Sequence, residues 1–331
     1  MSASNEALFE AFLKQHDDRS WAAVLHDLLP FIHDVDKNAT EIWFYFYPLR
    51  LARALDRAEE AEQLAKRLLM QGNYYLKDQI DTSHRFLYGH RYWAEVKQSV
   101  ANYAVSDKAP ASLQLATQIR EVASQVATRV KGEPSLLVGI TAVAFMTLQQ
   151  VGIAAFKASP GVARASLKKR PEQILKDRAK DDGQGLFGFL RGEEKVYTIT
   201  FDETDESARF KLINSQHLTT AAAADKRDHS RRDARCKSDE GPIPVECRSA
   251  SCGTCWVGVL GGAEKLSEVA ALERRRIKEF GYIDTAEMRP VIRLACQAQA
   301  FGAVTIVIPP WNGVFGKHLD EQKENEQRAK A

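Results

Sequence analysis

The sequence predicts two domains of different class, an all-α N-terminal domain and an α+β C-terminal domain. Three observations predict it. Apolar residues recur at spacings of three and four from Asn5 to about Phe156, alternating apolar segments begin after Lys195, and the stretch between them mixes small, basic and turn residues. At 331 residues the chain exceeds one average domain, and either half can bury a core of its own. The expected boundaries are 1–157 for a helical docking or anchoring domain, 158–194 for a basic linker, 195–316 for the α+β domain and 317–331 for a charged tail.

In the first domain, AEEAEQLAKRLLM and YWAEVKQSVANYA carry the helical period. Breaks near Pro30, at Asp56, at Gln71 and Gly72, at Ala109 and Pro110, and from Gly132 to Pro134 divide it into about six or seven helices. The stretch from Pro134 to Phe156 has no charge over 23 residues and is followed by Lys157, Arg164, Lys168, Lys169 and Arg170. It reads first as a buried central helix; Gln149, Gln150 and two threonines argue against its alternative, a membrane span or surface anchor over 134–156. The linker SPGVARASLKKRPEQILKDRAKDDGQG has little to bury, and LFGFL after it is a short apolar cluster able to pin the linker to either domain.

Strands are expected at KVYTITF, ARFKLIN, TCWVGVL, VIRLACQ and AVTIVIP, with a short helix at HLTTAAAA and a longer one at LSEVAALERRRIKEF. The tail HLDEQKENEQRAKA is charged and expected to fray.

Lys plus Arg total 46 against 44 Asp plus Glu, a formal net charge of +2, so no global field points to nucleic acid. The start MSASNEALFEAFLKQHDDRSW lacks the pattern of a secretory signal, and four of five cysteines crowd into one motif, which suits metal-bound thiolates in a reducing compartment. The expected location is the cytoplasm, or the cytoplasmic face of the membrane.

In CRSASCGTC, Cys247, Cys252 and Cys255 have the spacing C-x4-C-x2-C, and Cys296 follows after 40 intervening residues in RLACQAQ. A two-iron cluster needs four thiolates; a tight loop can supply three while a distant strand brings the fourth. Small residues at Ser249, Ala250, Ser251 and Gly253 let the loop close and aim N–H groups at sulfur, which favours the reduced, more negative state. Arg248 and Arg293 flank the ligands and are expected to offset part of the charge, and Arg248, Ala250, Ser251, Gly253 and Thr254 to shape the loop. The competing use of four cysteines, a zinc site, favours two short C-x2-C-like pairs, which this triplet with a remote partner does not supply.

CRSASCGTCWVGVLGGAEKLS and RLACQAQAFGAVTIVIP resemble the plant-type 2Fe-2S ferredoxin family, in particular bacterial ferredoxin domains with an RLACQ-type last ligand. The resemblance covers about Lys195 to Pro309. It implies a β-grasp domain, one 2Fe-2S cluster and one-electron transfer with no chemistry on a substrate. Ala250 stands where the family usually has Gly, and both DKRDHSRRDARCKSDEG and the Cys255 to Cys296 interval are longer than usual.

Other residues attract attention less. Cys236 lies among Arg231, Arg232, Arg235 and Lys237, which could lower its pKa, but it reads as a spare thiol in a solvated loop. His26, His33, His84 and His90 read as core or surface histidines rather than ligands, and Trp43, Phe44, Tyr45, Phe46 and Tyr47 as a helix core. No G-x-G-x-x-G follows a strand and no Walker A motif is present. The expected function is therefore a one-electron carrier, without activity alone, that takes electrons from a reductase and passes them to an acceptor protein. Two other readings stand beside it: an electron-transfer subunit of a larger oxidoreductase complex, membrane-associated or not, and a redox-sensing interaction protein using the insert around Cys236.

Overall fold

The structure is a computed structural model that describes residues 4–106, 114–162, 169–180, 195–282 and 287–328. Two compact units emerge, one from residues 1–54 and 75–171 and one from residues 55–74 and 172–331.

The first unit is helical: α1 (Asn5–Lys14), α2 (Asp18–Leu28), α3 (Asp34–Phe46), α6 (Trp93–Val105), α7 (Leu115–Val130), α8 (Ser135–Val151) and α9 (Ile153–Ala158), with α4 (Leu49–Arg57) running to its edge. Caps place breaks that apolar spacing alone does not reveal. The Asp17 carboxylate accepts from the Ser20 N–H at 2.8 Å to start α2, and the His33 ring accepts from the Val35 N–H to start α3. Between residues 75 and 92 the chain forms 3-10 turns instead of a helix. They are pinned by the buried Asp36 carboxylate, which accepts the Tyr88 and Gly89 N–H groups at 2.6 and 2.8 Å. The expected break at Ala109 and Pro110 lies outside the described residues.

α8 is the centre of this unit. Every residue from Leu136 to Gln149 is buried, against α1, α2, α3, α6 and α7. That enclosure explains the uncharged stretch, because a helix surrounded on all sides has no polar face to keep. Its glutamines are satisfied internally: Trp21 Nε1 donates to Gln149 Oε1 at 2.6 Å, Gln149 Nε2 to the His16 carbonyl and Gln150 Nε2 to the Tyr47 carbonyl, both at 2.8 Å. Among the described residues no helix is long and apolar enough to cross a membrane, and α8 lies buried, as the first reading of 134–156 expects. Of the five aromatic residues expected in a helix core, Trp43, Phe44, Phe46 and Tyr47 are buried, whereas Tyr45 is only partly so. His84 and His90 meet inside this unit, Nδ1 to Nδ1 at 2.8 Å, while His26 is exposed.

The second unit is built on a five-stranded sheet of β2 (Val196–Thr200), β3 (Arg209–Ile213), β4 (Trp256–Gly261), β5 (Ile292–Leu294) and β6 (Val304–Val307). Their order is β3-β2-β6-β4-β5, with β2 and β6 parallel and the other neighbours antiparallel. All five fall on segments expected to be strands, β4 running one residue past TCWVGVL to Gly261. β2 and β3 alternate, burying Tyr197, Ile199, Phe210 and Leu212, whereas β4 and β5 are buried on both faces except at Gly261. The two expected helices are α11 (Leu218–Ala222) and α12 (Ala271–Phe280).

Three features depart from the expected boundaries. Residues 55–74, which carry α5 (Ala61–Arg67), group with the second unit because β1 (Gln71–Gly72) pairs antiparallel with β7 (Trp311–Asn312). Gly72 allows this at a φ of +79°, where a Cβ would stand 2.4 Å from the Pro310 carbonyl oxygen. The supposed linker contains α10 (Pro171–Ala179), which belongs to this unit: Ile174 is buried and Arg178 forms a bidentate pair with Glu203 at 2.7 and 2.8 Å. LFGFL lies outside the described residues. The described part of the tail lies in a helix, α13 (Gly316–Arg328), in which Leu319 is buried.

Candidate metal centre

The loop from Cys247 to Cys255 precedes β4, and Cys296 follows β5, which pairs with β4; sheet pairing therefore delivers the fourth cysteine to the loop. Three loop residues have left-handed backbone, Arg248 at φ +53°, Ala250 at +59° and Gly253 at +73°. Such turns rotate successive peptide planes so that neighbouring N–H groups face one concavity. Here the Ser251 N–H donates to Cys247 Sγ at 3.3 Å, the Ser249 N–H points to the same sulfur, the Ala250 N–H to Cys296 and the Thr254 N–H to Cys252. Side chains add to these: Thr254 Oγ1 donates to Cys252 Sγ at 3.2 Å and Gln297 Nε2 to Cys296 Sγ at 3.5 Å. Ala250 adopts the left-handed conformation with a side chain present, at a cost of about 1–2 kcal/mol.

The four thiols meet in two pairs, Cys247 with Cys252 and Cys255 with Cys296. Within each pair one thiol is held down and the other up, as two groups sharing a proton behave. Burial pushes Cys247 up, but Ser251, Cys252 and the loop amides outweigh it and hold it at about 6. Burial raises its partner Cys252. Contact with Cys255, helped by Gln297 and the Ala250 N–H, brings Cys296 to about 7, and that contact together with burial lifts Cys255 well above a free thiol.

Arg248, Ala250 and Gly253 turn the loop backbone and Ser251 and Thr254 donate to its thiols, while the Arg248 side chain turns to a carboxylate. Its guanidinium pairs with Glu240 and reaches the Thr219 carbonyl at 3.4 Å. Arg293, fully buried, is held by Glu273 through Nε at 2.8 Å and Nη2 at 2.9 Å. Both charges are thus neutralised by carboxylates rather than directed at the thiols. Cys236 is no solvated thiol either: it is buried, donates to the Pro242 carbonyl at 3.4 Å, and burial with the nearby Asp233 carboxylate pushes it up to about 12 despite Arg235. The surrounding insert is not a free basic patch, since Arg227 pairs with Asp225, Arg232 with Asp202 and Asp205, and Arg235 with Asp233.

Behind the loop stands an aromatic wall that the sequence reading passes over. Trp256, directly after Cys255, stacks on Tyr282 with centroids 4.0 Å apart, and Trp311 and Phe315 close the cluster. Trp256 Nε1 donates to the Trp311 carbonyl at 2.7 Å, and the Tyr282 hydroxyl donates to the Gly253 carbonyl at 2.8 Å. Tyr282 has no local sequence signal, because only the fold carries it from the end of α12 to the loop. Gln297 could have been found as the residue adjoining the last cysteine.

Residues 219–300, about a quarter of the chain, match the family model described as the 2Fe-2S iron-sulfur cluster binding domain, and the match takes in all four of these cysteines. No solved structure matches the chain. The matched domain binds a 2Fe-2S cluster.

Proposed function

We propose that this chain, whose residues 219–300 match a 2Fe-2S cluster binding domain, is a one-electron carrier with a single cluster that Cys247, Cys252, Cys255 and Cys296 would hold. The observation that carries this reading is the gathering of four thiols, Cys247 beside Cys252 and Cys255 beside Cys296, ringed by N–H and O–H donors inside the residues that match the cluster-binding domain. Soft thiolates are the donor set such a cluster takes. When bound, it supplies a one-electron couple, near about −400 mV in plant-type ferredoxins.

The residues of the chain do the rest. The amides of Ser249 and Ser251 favour the thiolate of Cys247 and that of Ala250 the thiolate of Cys296, the deprotonated form that metal binding requires, and the Thr254 amide offsets part of the effect of burial on Cys252. Cys255 and Cys296 are buried, whereas Cys247 and Cys252 are half-buried beside exposed Ser249 and Ser251, so electrons enter and leave past the loop. The strand order β3-β2-β6-β4-β5, with its parallel central pair, supports a β-grasp assignment for this unit. The sequence holds neither a dinucleotide-binding nor a Walker A motif, and we assign donor and acceptor to separate proteins, with the helical unit as the module that docks one of them.

Anaerobic coulometry on the full chain tests the reading. Uptake and return of about one electron per chain, with a slope of about 59 mV per decade, is the expected result. Uptake of two electrons in one step, or of none, rejects a one-electron carrier.

A further inference from the structure

We infer that Tyr282 is a positioning residue for the cluster loop: its hydroxyl completes a hydrogen-bond chain from the Gly313 amide to the Cys252 sulfur, and this chain raises the reduction potential of the centre. The inference rests on the reading that Cys252 is a cluster ligand.

The links are continuous. The Gly313 N–H donates to the Tyr282 hydroxyl at 3.4 Å, and that hydroxyl donates to the Gly253 carbonyl at 2.8 Å. The Gly253 carbonyl and the Thr254 N–H belong to one peptide unit, and the Thr254 N–H points to Cys252 Sγ, joined there by Thr254 Oγ1 at 3.2 Å. Drawing electron density toward the carbonyl oxygen makes the N–H on the same peptide a stronger donor. Chained bonds strengthen one another by perhaps 10–30% each in a low-dielectric interior. A stronger donor on a ligand sulfur stabilises the reduced, more negative state, so the potential rises.

The hydroxyl has no freedom to leave. Tyr282 is buried at 2% exposure, its ring lies nearly parallel to Trp256 at 13°, and Phe280, Trp311 and Phe315 surround it. Burial also raises the phenol above its ordinary range, keeping it a donor at any working pH. Gly253 is shaped to receive it: at φ +73°, a Cβ would stand 2.9 Å from the Tyr282 oxygen and 3.0 Å from the Phe280 ring.

The test is an EPR-monitored redox titration of the cluster-loaded full chain, comparing wild type, Tyr282→Phe, and a protein with 3,5-difluorotyrosine at position 282. Phe keeps the stack and removes the donor; its electron affinity is expected to fall about threefold, about 30 mV more negative at 59 mV per decade. The fluorinated phenol is a stronger donor, and its shift is expected to have the opposite sign. Unchanged potentials, or shifts of the same sign in both proteins, overturn the inference. Should Tyr282→Phe lose the cluster, the sign of the difluorotyrosine shift decides alone. A wild-type protein with no one-electron centre is a distinct result, one that removes the underlying reading instead.

Discussion

Replacing Cys296 by Ala is expected to abolish the two-iron centre, whereas replacing Cys236 by Ala leaves it in place. The two cysteines are similarly buried, at 5% exposure each, so burial does not separate them. Their surroundings do. Cys296 touches Cys255, receives the Ala250 N–H and the Gln297 amide, and is held at about 7, whereas Cys236 faces the Pro242 carbonyl and is pushed up to about 12. Loss of a residue that merely supports a metal ligand lowers metal affinity 10–100-fold. Loss of a ligand is therefore expected to cost at least about 100-fold, read as missing visible absorption and iron in C296A. Equal iron retention in C296A and C236A would remove Cys296 from the ligand set.

The second large effect is on stability. Glu273→Gln is expected to destabilise the second unit by about 3–5 kcal/mol, because it leaves the guanidinium of Arg293 buried without its counter-charge. The two side chains are 1% and 0% exposed, and Glu273 Oε1 also accepts the Leu294 N–H at 2.9 Å. At about 2–4 °C per kcal/mol for a unit of this size, the melting temperature is expected to fall by about 6–20 °C. The pair joins α12 to β5, the strand that precedes Cys296, so cluster retention is expected to weaken as well. Replacing both partners by apolar residues, as in Glu273→Leu with Arg293→Met, is expected to recover much of the loss. A melting temperature for Glu273→Gln within a degree of wild type would mean that the pair is not the clamp its burial indicates.

What the sequence disclosed was local. The C-x4-C-x2-C loop, the period-two strands β2 and β3 and the uncharged helix α8 each carry their pattern within one continuous stretch, where spacing translates directly into facing. What it withheld was pairing across distance. Gln71 meets Asn312 in β1 and β7, so a piece of the helical half joins the other unit, and no local pattern announces a two-residue strand. The charges misled for the same reason. Arg227, Arg232, Arg235, Arg248 and Arg293 read as free cations in sequence, but Asp225, Asp202, Asp205, Asp233, Glu240 and Glu273 pair with them in the fold. Tyr282 illustrates the limit most directly: the residue that fixes the Gly253 carbonyl lies 29 positions away and belongs to no motif.

The most direct test of the central claim is an iron and acid-labile sulfide count with EPR spectra, on protein purified without oxygen, before and after dithionite. About two irons and two sulfides per chain, silent when oxidised and giving a rhombic S = 1/2 signal on reduction, is the predicted result for one cluster on four cysteines. A colourless protein with one zinc and no labile sulfide would contradict it and leave a zinc-stabilised interaction module in its place.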